Sequence, residues 1–304
     1  MAVNLTSTKV RARADRRSGL NRRGDVSSIA SSVWRLSHAK DRRVLAERRS
    51  GIERRRKPDT VVPAAQIDSA IRVIEQEQVS VVYQPIFHLA TGKVFGYEAL
   101  ARVDSPDFPT LLELFQAASA GGCVAELGRL HRKQAVANCP LHPLFINIFP
   151  TEFDYGLLVQ PDDAIFRHKC PVYIEITESV PLSHFEQCQD VLGELRKKGM
   201  FLVIDDLGAG YSNLKYMADL APDFVKLDRN LIADVKDGSR QARLVAAIVH
   251  LCHQMGTRVV AEGIETVDEL IIAQRAGAEF CQGYLLGRPD AEPNGESWPG
   301  FFEA

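Results

Sequence analysis

The sequence predicts an α/β barrel of roughly eight strands that alternate with helices, preceded by an arginine-rich arm. Two observations favour this fold class. Short apolar runs alternate with amphipathic helical stretches from about residue 65 onward, and polar residues follow most of the apolar runs. About eight such repeats over about 235 residues point to a barrel, although the alternation alone would also fit an open parallel sheet.

The individual elements follow from hydrophobic periodicity. Apolar residues at helical spacing over 67–74 predict a first helix, and β-branched and aromatic runs predict the strands. The expected strands are 79–87, 94–97, 144–148, 171–176, 201–204, 224–227, 258–261 and 279–281. The expected later helices are 111–119, 124–137, 184–198, 213–219, 240–255 and 267–276.

Composition limits the class of protein. The chain has 304 residues, of which 45% are hydrophobic, enough for a substantial core. It contains no run of about 20 apolar residues and no secretory signal, so we expect a cytoplasmic protein. Its six cysteines lack CxxC spacing, which argues against a zinc site or a disulfide framework.

Charge divides the chain into a basic arm, residues 1–62, and an acidic body, residues 63–304. Residues 1–60 carry 17 Lys and Arg against 6 Asp and Glu, whereas the remainder carries 20 against 33. Within the arm, the segment 14–23 returns almost unchanged as 46–55, with paired arginines around a Ser-Gly step. Paired guanidinium groups could bind an anionic partner, such as nucleic acid, lipid or nucleotide, or a protein. The alternative is a largely disordered, solvated tail, since low hydrophobicity and high charge do not form a core.

In the body, acidic and amide side chains follow the apolar runs. In a parallel barrel the carboxyl ends of the strands share one mouth, so these side chains should converge there. A cluster of Asp, Glu and Asn oxygens would need hard cations, and it suits Mg²⁺ or Mn²⁺. Two such ions can activate a water and stabilise a leaving oxygen in phosphoryl chemistry. The polar residues within or after the apolar runs, including the cationic Lys226, are Glu98, Asn147, Glu175, Glu178, Asp205, Asp206, Lys226, Asp228, Glu262 and Gln282.

The pair Asp205-Asp206 is the least ordinary feature of this set. It follows a short apolar run and precedes a turn containing Gly208 and Gly210. Taken alone, the stretch could be a solvated turn that begins with Asp. Adjacent acids at the end of a buried strand instead indicate a cation site.

Eight short motifs, in order, resemble the signatures of EAL domains, the bacterial phosphodiesterases for cyclic di-GMP. The resemblance covers about residues 66–300, and the set is specific although each motif alone is weak. The motifs are Tyr83-Gln84-Pro85-Ile86, Glu98-Ala99-Leu100-Ala101-Arg102, Phe145-Ile146-Asn147, Glu175-Ile176-Thr177-Glu178, Asp205 to Ser212, Val225-Lys226-Leu227-Asp228, Ala261-Glu262-Gly263-Ile264-Glu265 and Gln282-Gly283-Tyr284. The resemblance implies an EAL-type (β/α)8 barrel with one antiparallel strand, and it implies hydrolysis of cyclic di-GMP to linear pGpG.

The resemblance also implies a division of labour among these residues. One metal would be held by Glu98, Asn147, Glu175 and Asp205, and a second by Asp205 and Asp206 with help from Glu262. Lys226 would orient or activate the attacking water, and Glu262 would act as general base or metal ligand. Glu178 would anchor the loop after Asp206, and Glu265 would support Lys226. Arg102 would bind a substrate phosphate, Gln84, Leu100 and Asp228 would line the nucleotide pocket, and Gln282 would complete the mouth.

Some positions depart from the family pattern without removing a ligand. Leu207 and Leu286 stand where aromatic residues are frequent, and the segment 103–109 is short.

A non-catalytic cyclic di-GMP receptor or protein-interaction module on the same fold remains the alternative function. The resemblance further implies a homodimer, for which Tyr216 and Met217 offer an apolar face that core packing would explain equally well. Five histidines, His131 among them, lack metal-ligand spacing and are expected in surface or capping roles.

Overall fold

The computed structural model describes residues 62–149, 152–153, 158, 160–177, 185–209 and 214–294. Within these residues the chain forms eight strands and nine helices, one of which is a 3-10 helix. The elements are α1 (Ala64–Glu75), β1 (Val79–His88), β2 (Val94–Val103), α2 (Leu111–Gly121), α3 (Val124–Asn138), β3 (Leu144–Asn147), a 3-10 helix (Ala164–Arg167), β4 (Val172–Thr177), α4 (Phe185–Lys197), β5 (Phe201–Leu207), α5 (Leu214–Leu220), β6 (Phe224–Leu227), α6 (Arg229–Ile232), α7 (Arg240–Gln254), β7 (Arg258–Ala261), α8 (Val267–Ala276) and β8 (Phe280–Cys281).

The eight strands close into a barrel in sequence order. Strand β1 is antiparallel to both of its neighbours, β2 and β8, and the other neighbouring strands pair in parallel. This confirms the expected barrel and its single antiparallel strand. The carboxyl ends of β2 to β8 therefore point the same way, which is the condition for a shared mouth.

Aromatic and branched side chains fill the barrel interior below the mouth. Phe145 stacks on Tyr173 with ring centroids 4.3 Å apart. At the far end, the guanidinium of Arg258 lies 4.0 Å from the centroid of the Phe224 ring. The interior cluster comprises Ile86, Phe145, Tyr173, Val203, Phe224, Val260 and Phe280, with Phe95 and Phe201 packed against it. Such layers leave a filled core and no pore.

Most predicted elements agree with the structure to within a few residues, but two strands are longer than predicted. Strand β2 continues past Tyr97 to Val103, because it forms a long antiparallel hairpin with β1. Glu98 therefore lies within a strand and not at its end. Strand β5 likewise continues past Ile204 to Leu207, so that both aspartates belong to it.

Several residues singled out in the sequence lie in the core. Leu207 and Leu286 are buried, and so is Met217, which packs in the main cluster between strands and helices. Met217 therefore contributes to the core and offers no free face for a dimer, while the side chain of Tyr216 lies outside the described residues. The five described cysteines are free, and three of them, Cys139, Cys252 and Cys281, are buried. Across the described ranges, none of the helices combines the length and apolarity required to cross a bilayer.

Candidate metal centre and active site

The polar side chains reach the mouth because of the two-residue period of a strand. On six strands or directly after them, each polar residue lies two positions beyond a residue of the interior cluster and therefore points to the same side. The pairs are Phe145 and Asn147, Tyr173 and Glu175, Val203 and Asp205, Phe224 and Lys226, Val260 and Glu262, and Phe280 and Gln282. The apolar layer thus forms the floor of the site, and the polar layer forms its lining.

Lys226 stands at the centre of this layer, fully buried. Its Nζ lies 2.7 Å from Glu262 Oε1 and 2.8 Å from Glu175 Oε1. Glu98 Oε2 is 3.2 Å away and Asp205 Oδ1 is 3.4 Å away. One ammonium group therefore gathers carboxylates from β2, β4, β5 and the end of β7.

Burial and the neighbouring carboxylates together shift the pKa values of the lining residues. Burial alone would lower the pKa of Lys226, but Asp205, Glu175, Glu262 and Glu98 outweigh it and raise that pKa well above its usual value. Burial, reinforced by Glu98 and Asp205, raises the pKa of Glu175 well above its usual value. Asp206 behaves in the same way, since burial and then Asp205 and Glu262 raise its pKa. Buried acids in this condition are stabilised by added positive charge.

Asp205 and Asp206 are adjacent, yet both lie in the buried lining. Successive residues of a regular strand point to opposite faces, so the backbone must depart from regularity here. It does so in two ways. The pairing of β5 with β6 shifts register between Ile204 and Leu207, and Asp206 has a left-handed φ of 60°. Such bulges commonly redirect a side chain at functional sites.

The donor set fits divalent cations. Asp205, Asp206 and Glu262 each offer a carboxylate oxygen, and these three oxygens lie within 4.8 Å of one another. Asp206 Oδ2 and Glu175 Oε2 are buried and accept no hydrogen bond from the described residues. Asn147, the last residue of β3, faces Glu175 in the register and donates from Nδ2 to Glu98 Oε1 at 3.3 Å. Hard oxygen ligands of this kind suit Mg²⁺ or Mn²⁺.

An amide relay connects Glu98 to the loop after β8. Gln282 Nε2 donates to Glu98 Oε2 at 2.6 Å and to Gln84 Oε1 at 3.1 Å. Gln84 Nε2 in turn donates to the carbonyl of Gly287 at 3.1 Å. Both glutamines are fully buried, so in this structure they fix the orientation of the Glu98 carboxylate.

The remaining substrate-binding candidates lie around this lining. Leu100 is buried and follows Glu98 by two residues on β2. Arg102, farther along the same strand, is partly buried, and its Nη1 donates to the Ala101 carbonyl at 2.9 Å. Asp228 caps helix α6 by accepting from the Asn230 N–H at 2.8 Å, and it is close enough to raise the pKa of Asp206.

Of the two residues expected to support the site, the structure describes Glu265 but not Glu178. Glu265 lies beyond Glu262, but its carboxylate pairs with Arg229, with Nη2 and Oε2 2.6 Å apart. The expected support of Lys226 by Glu265 is therefore not a direct contact. Glu178 lies outside the described residues, so its role as an anchor stays a prediction.

His131 was wrongly expected at a surface or capping position. It is buried, its Nε2 lies 3.1 Å from the carbonyl of Ala99, and its pKa is lowered to about 4, mainly by burial and by the neighbouring Arg132. Periodicity could have indicated this, because His131 follows Leu127 by four residues and both face inward on α3.

Fold and site together define a class: an α/β barrel with one antiparallel strand and a carboxylate-rich, cation-competent mouth. The chain belongs to the EAL domain family, whose model matches residues 65–289. This range contains every candidate metal, catalytic and substrate-binding residue named above, and it excludes the basic arm.

Curated relatives are about one-third identical to the chain over the residues that align. A cyclic di-GMP phosphodiesterase of Pseudomonas aeruginosa is 31% identical over 239 residues, which cover 73% of this chain and 40% of the relative. An uncharacterised protein of Azorhizobium caulinodans is 33% identical over 252 residues, covering 73% and 33% respectively. The chain thus spans well under half the length of these relatives.

Solved structures show the same fold. The calcium and cyclic di-GMP complex of Klebsiella pneumoniae BlrP1 has a TM-score of 0.63 and 32% identity, covering 72% of this chain and 58% of that one. The cyclic di-GMP complex of the MucR phosphodiesterase of Pseudomonas aeruginosa has a TM-score of 0.65 and 29% identity, covering 74% and 97%.

Proposed function

We propose that this protein hydrolyses cyclic di-GMP to linear pGpG with two Mg²⁺ or Mn²⁺ ions. The observation that carries the proposal is the ring of buried carboxylates around Lys226, with Asp205, Asp206 and Glu262 clustered at its edge. The names of similar proteins support the choice of substrate, since one reported relative is a cyclic di-GMP phosphodiesterase and both reported structures are cyclic di-GMP complexes.

The chain offers ligands for two cations that share one residue. Glu98, Asn147, Glu175 and Asp205 would hold one ion, and Asp205, Asp206 and Glu262 would hold the other. When bound, such ions neutralise a phosphodiester, lower the pKa of a water and stabilise the leaving oxygen. Because Asp205 belongs to both sets, its carboxylate would fix the spacing between them.

The residues around these ligands would position the reactants. Lys226 holds Glu262 and Glu175 by ion pairs, so its ammonium can orient an attacking water beside Glu262, which would take the proton as general base. Arg102 would bind a substrate phosphate, and Leu100 and Asp228 would contact the nucleotide. Gln84 and Gln282 would act through the relay that orients Glu98.

The catalytic roles of Glu178 and Glu265 are proposed as supporting ones. Glu178 would anchor the loop after Asp206. Glu265 holds Arg229, whose side chain packs on Gly263 beside Glu262, so Glu265 would act on the base from a distance.

The test is a hydrolysis assay of cyclic di-GMP with and without Mg²⁺ or Mn²⁺, with the products separated by chromatography. We expect pGpG only with metal, and loss of turnover in Asp205→Asn, since an amide cannot bridge two cations as a carboxylate does. Binding of cyclic di-GMP without any turnover would contradict hydrolysis and favour a non-catalytic receptor.

Assembly and location complete the proposal. We propose a cytoplasmic homodimer whose basic arm, residues 1–62, contacts an anionic or protein partner. Light scattering after size exclusion tests the dimer. Deletion of residues 1–60 tests the arm, because retention on nucleic acid or anionic liposomes should fall and should be weaker at higher salt.

A further inference from the structure

A buried ion triad outside the mouth joins helix α3 to the connection between β3 and β4. Arg132 Nη1 lies 2.5 Å from Glu152 Oε2, and Arg132 Nε lies 2.9 Å from Asp163 Oδ2. The side chains of Arg132 and Glu152 are completely buried, and that of Asp163 is 1% exposed. Burying three charges is costly, and an apolar set of the same volume would often be as stable. The triad therefore calls for a role other than general stability.

Each carboxylate of the triad also fixes the backbone of the segment that follows β3. Glu152 Oε1 accepts the N–H of Phe149 at 3.0 Å, and Asp163 Oδ1 accepts the N–H of Ile165 at 3.2 Å. Arg132 thus connects one turn of α3 to two points of the connection between β3 and β4, the backbone at Phe149 and the start of the 3-10 helix. The contact with Phe149 lies only two residues beyond Asn147.

Helix α3 is shaped to receive this segment. A Cβ atom on Gly128, one turn before Arg132, would lie 2.1 Å from Glu152 Oε2, so only glycine leaves room for the carboxylate. Leu127 and His131, on the same helix, line a small cavity together with Asn147 and Phe149. The helix therefore reaches the segment after Asn147 in two ways, through the ion triad and through Leu127, which shares a hydrophobic cluster with Phe149.

The neighbouring backbone leads directly to a second metal-ligand candidate. The N–H of Ile148, between Asn147 and Phe149, donates to the carbonyl of Glu175 at 2.9 Å. A shift of Phe149 would consequently move the end of β3 relative to β4, and with it the Asn147 carboxamide relative to the carboxylates of Glu98 and Glu175.

We propose that Arg132, with Glu152 and Asp163, is a positioning group for Asn147 and thereby sets the affinity of the metal site to which Asn147 belongs. This inference rests on the proposed function, in which Asn147 is a metal ligand. Residues that orient ligands typically change metal affinity by about 10- to 100-fold when they are removed.

The experiment replaces the triad with neutral side chains of similar shape, Arg132→Met/Glu152→Gln/Asp163→Asn, which keep an acceptor for the N–H groups of Phe149 and Ile165. Mn²⁺ binding is measured by electron paramagnetic resonance of free Mn²⁺, and folding by circular dichroism. We expect a folded protein whose Mn²⁺ dissociation constant rises by about tenfold or more.

A double-mutant cycle separates positioning from a general structural effect. In the Asn147→Ala background, replacement of the triad should change Mn²⁺ affinity by less than about twofold, because the coupled partner is already gone. An equal loss in both backgrounds, or unchanged affinity in a folded triad variant, would overturn the proposal. Glu152→Gln alone serves if the triple variant fails to fold, with a smaller loss expected in the same direction.

Two controls accompany the cycle. Arg129→Met removes the exposed Arg129–Asp162 pair, which joins the same helix to the same segment at 2.6 Å, and should leave Mn²⁺ affinity unchanged. Asp205→Asn tests the metal centre itself. If it leaves Mn²⁺ binding intact, the proposed function fails, whereas intact binding in the triad variant alone overturns only the role of Arg132.

Discussion

Asp205 and Asp206 are consecutive in the chain, and both lie buried in the lining of the barrel mouth, where a regular strand would place only one of them. The left-handed φ of 60° at Asp206 and the register shift towards Leu207 make this possible. An aspartate tolerates that conformation better than most residues, but it still costs about 1 kcal/mol. The strain and the charge repulsion occur together at the residue pair that is best placed to hold a cation.

The first prediction concerns that strain and repulsion. Asp206→Asn should stabilise the metal-free protein by about 1 kcal/mol, because it removes a buried acid and keeps a side chain that accepts positive φ. Asp206→Ala should gain less, since alanine lacks the local hydrogen bonding that eases a left-handed backbone. Urea unfolding with and without Mn²⁺ measures both. Lower stability of Asp206→Asn than of wild type in metal-free buffer would contradict this account.

The second prediction concerns Lys226. Lys226→Met should destabilise the metal-free protein by about 3–5 kcal/mol, because four carboxylates lose their common cation. Saturating Mn²⁺ should restore part of this loss by replacing the positive charge. Chemical unfolding in the two buffers measures the difference. The control is Lys197→Met, which removes an exposed pair with Glu194 and should leave the free energy of unfolding unchanged in both buffers. An equal loss in both buffers would argue against a cation site here.

The third prediction concerns the packing of the loop after β5. Gly208 has a φ of 97°, and a Cβ atom there would lie 2.4 Å from a methyl carbon of Leu231 on α6. Gly199 has a similar φ of 86° but faces open space, so it isolates the backbone effect. Gly208→Ala should destabilise the protein by about 1–3 kcal/mol more than Gly199→Ala does. Thermal and urea unfolding measure the difference. In a Leu231→Ala background, the difference between Gly208→Ala and Gly199→Ala should be smaller.

The fourth prediction is a pH dependence from His131. Its pKa in the folded protein is about 4, below the ordinary 6.5, mainly because of burial. Between these values the unfolded chain binds a proton that the folded protein does not, so stability is complete above pH 6.5 and falls as the pH decreases towards 4. The loss amounts to about 3 kcal/mol at most.

Urea unfolding between pH 4 and 7.5 tests this against His131→Gln, whose amide can still donate to the Ala99 carbonyl. The variant should lose less stability than wild type across the window. Parallel curves for the two proteins would show that His131 does not contribute.

Residue patterns alone predicted an α/β fold of about eight strands and the polar side chains of its mouth, but they also fitted an open parallel sheet. Apolar runs of strand length alternate with helical stretches, and the two-residue period then places Asn147, Glu175, Lys226 and Glu262 beyond interior residues of their strands. These are local properties of the chain, so they can be read without a structure. The antiparallel direction of β1 came from the resemblance to the family, and not from the pattern of residues.

Tertiary structure decided what depends on the meeting of distant segments. The length of β2 reflects its pairing with β1, and the place of Asp206 in the lining reflects a bulge formed against β6. The pairing of Glu265 with Arg229 and the burial of Arg132 between Glu152 and Asp163 have no signal in residue spacing. Ion pairs and bulges form between elements that closure of the barrel brings together. Residue patterns therefore identify the polar side chains, whereas the packing of distant segments decides which groups those side chains contact.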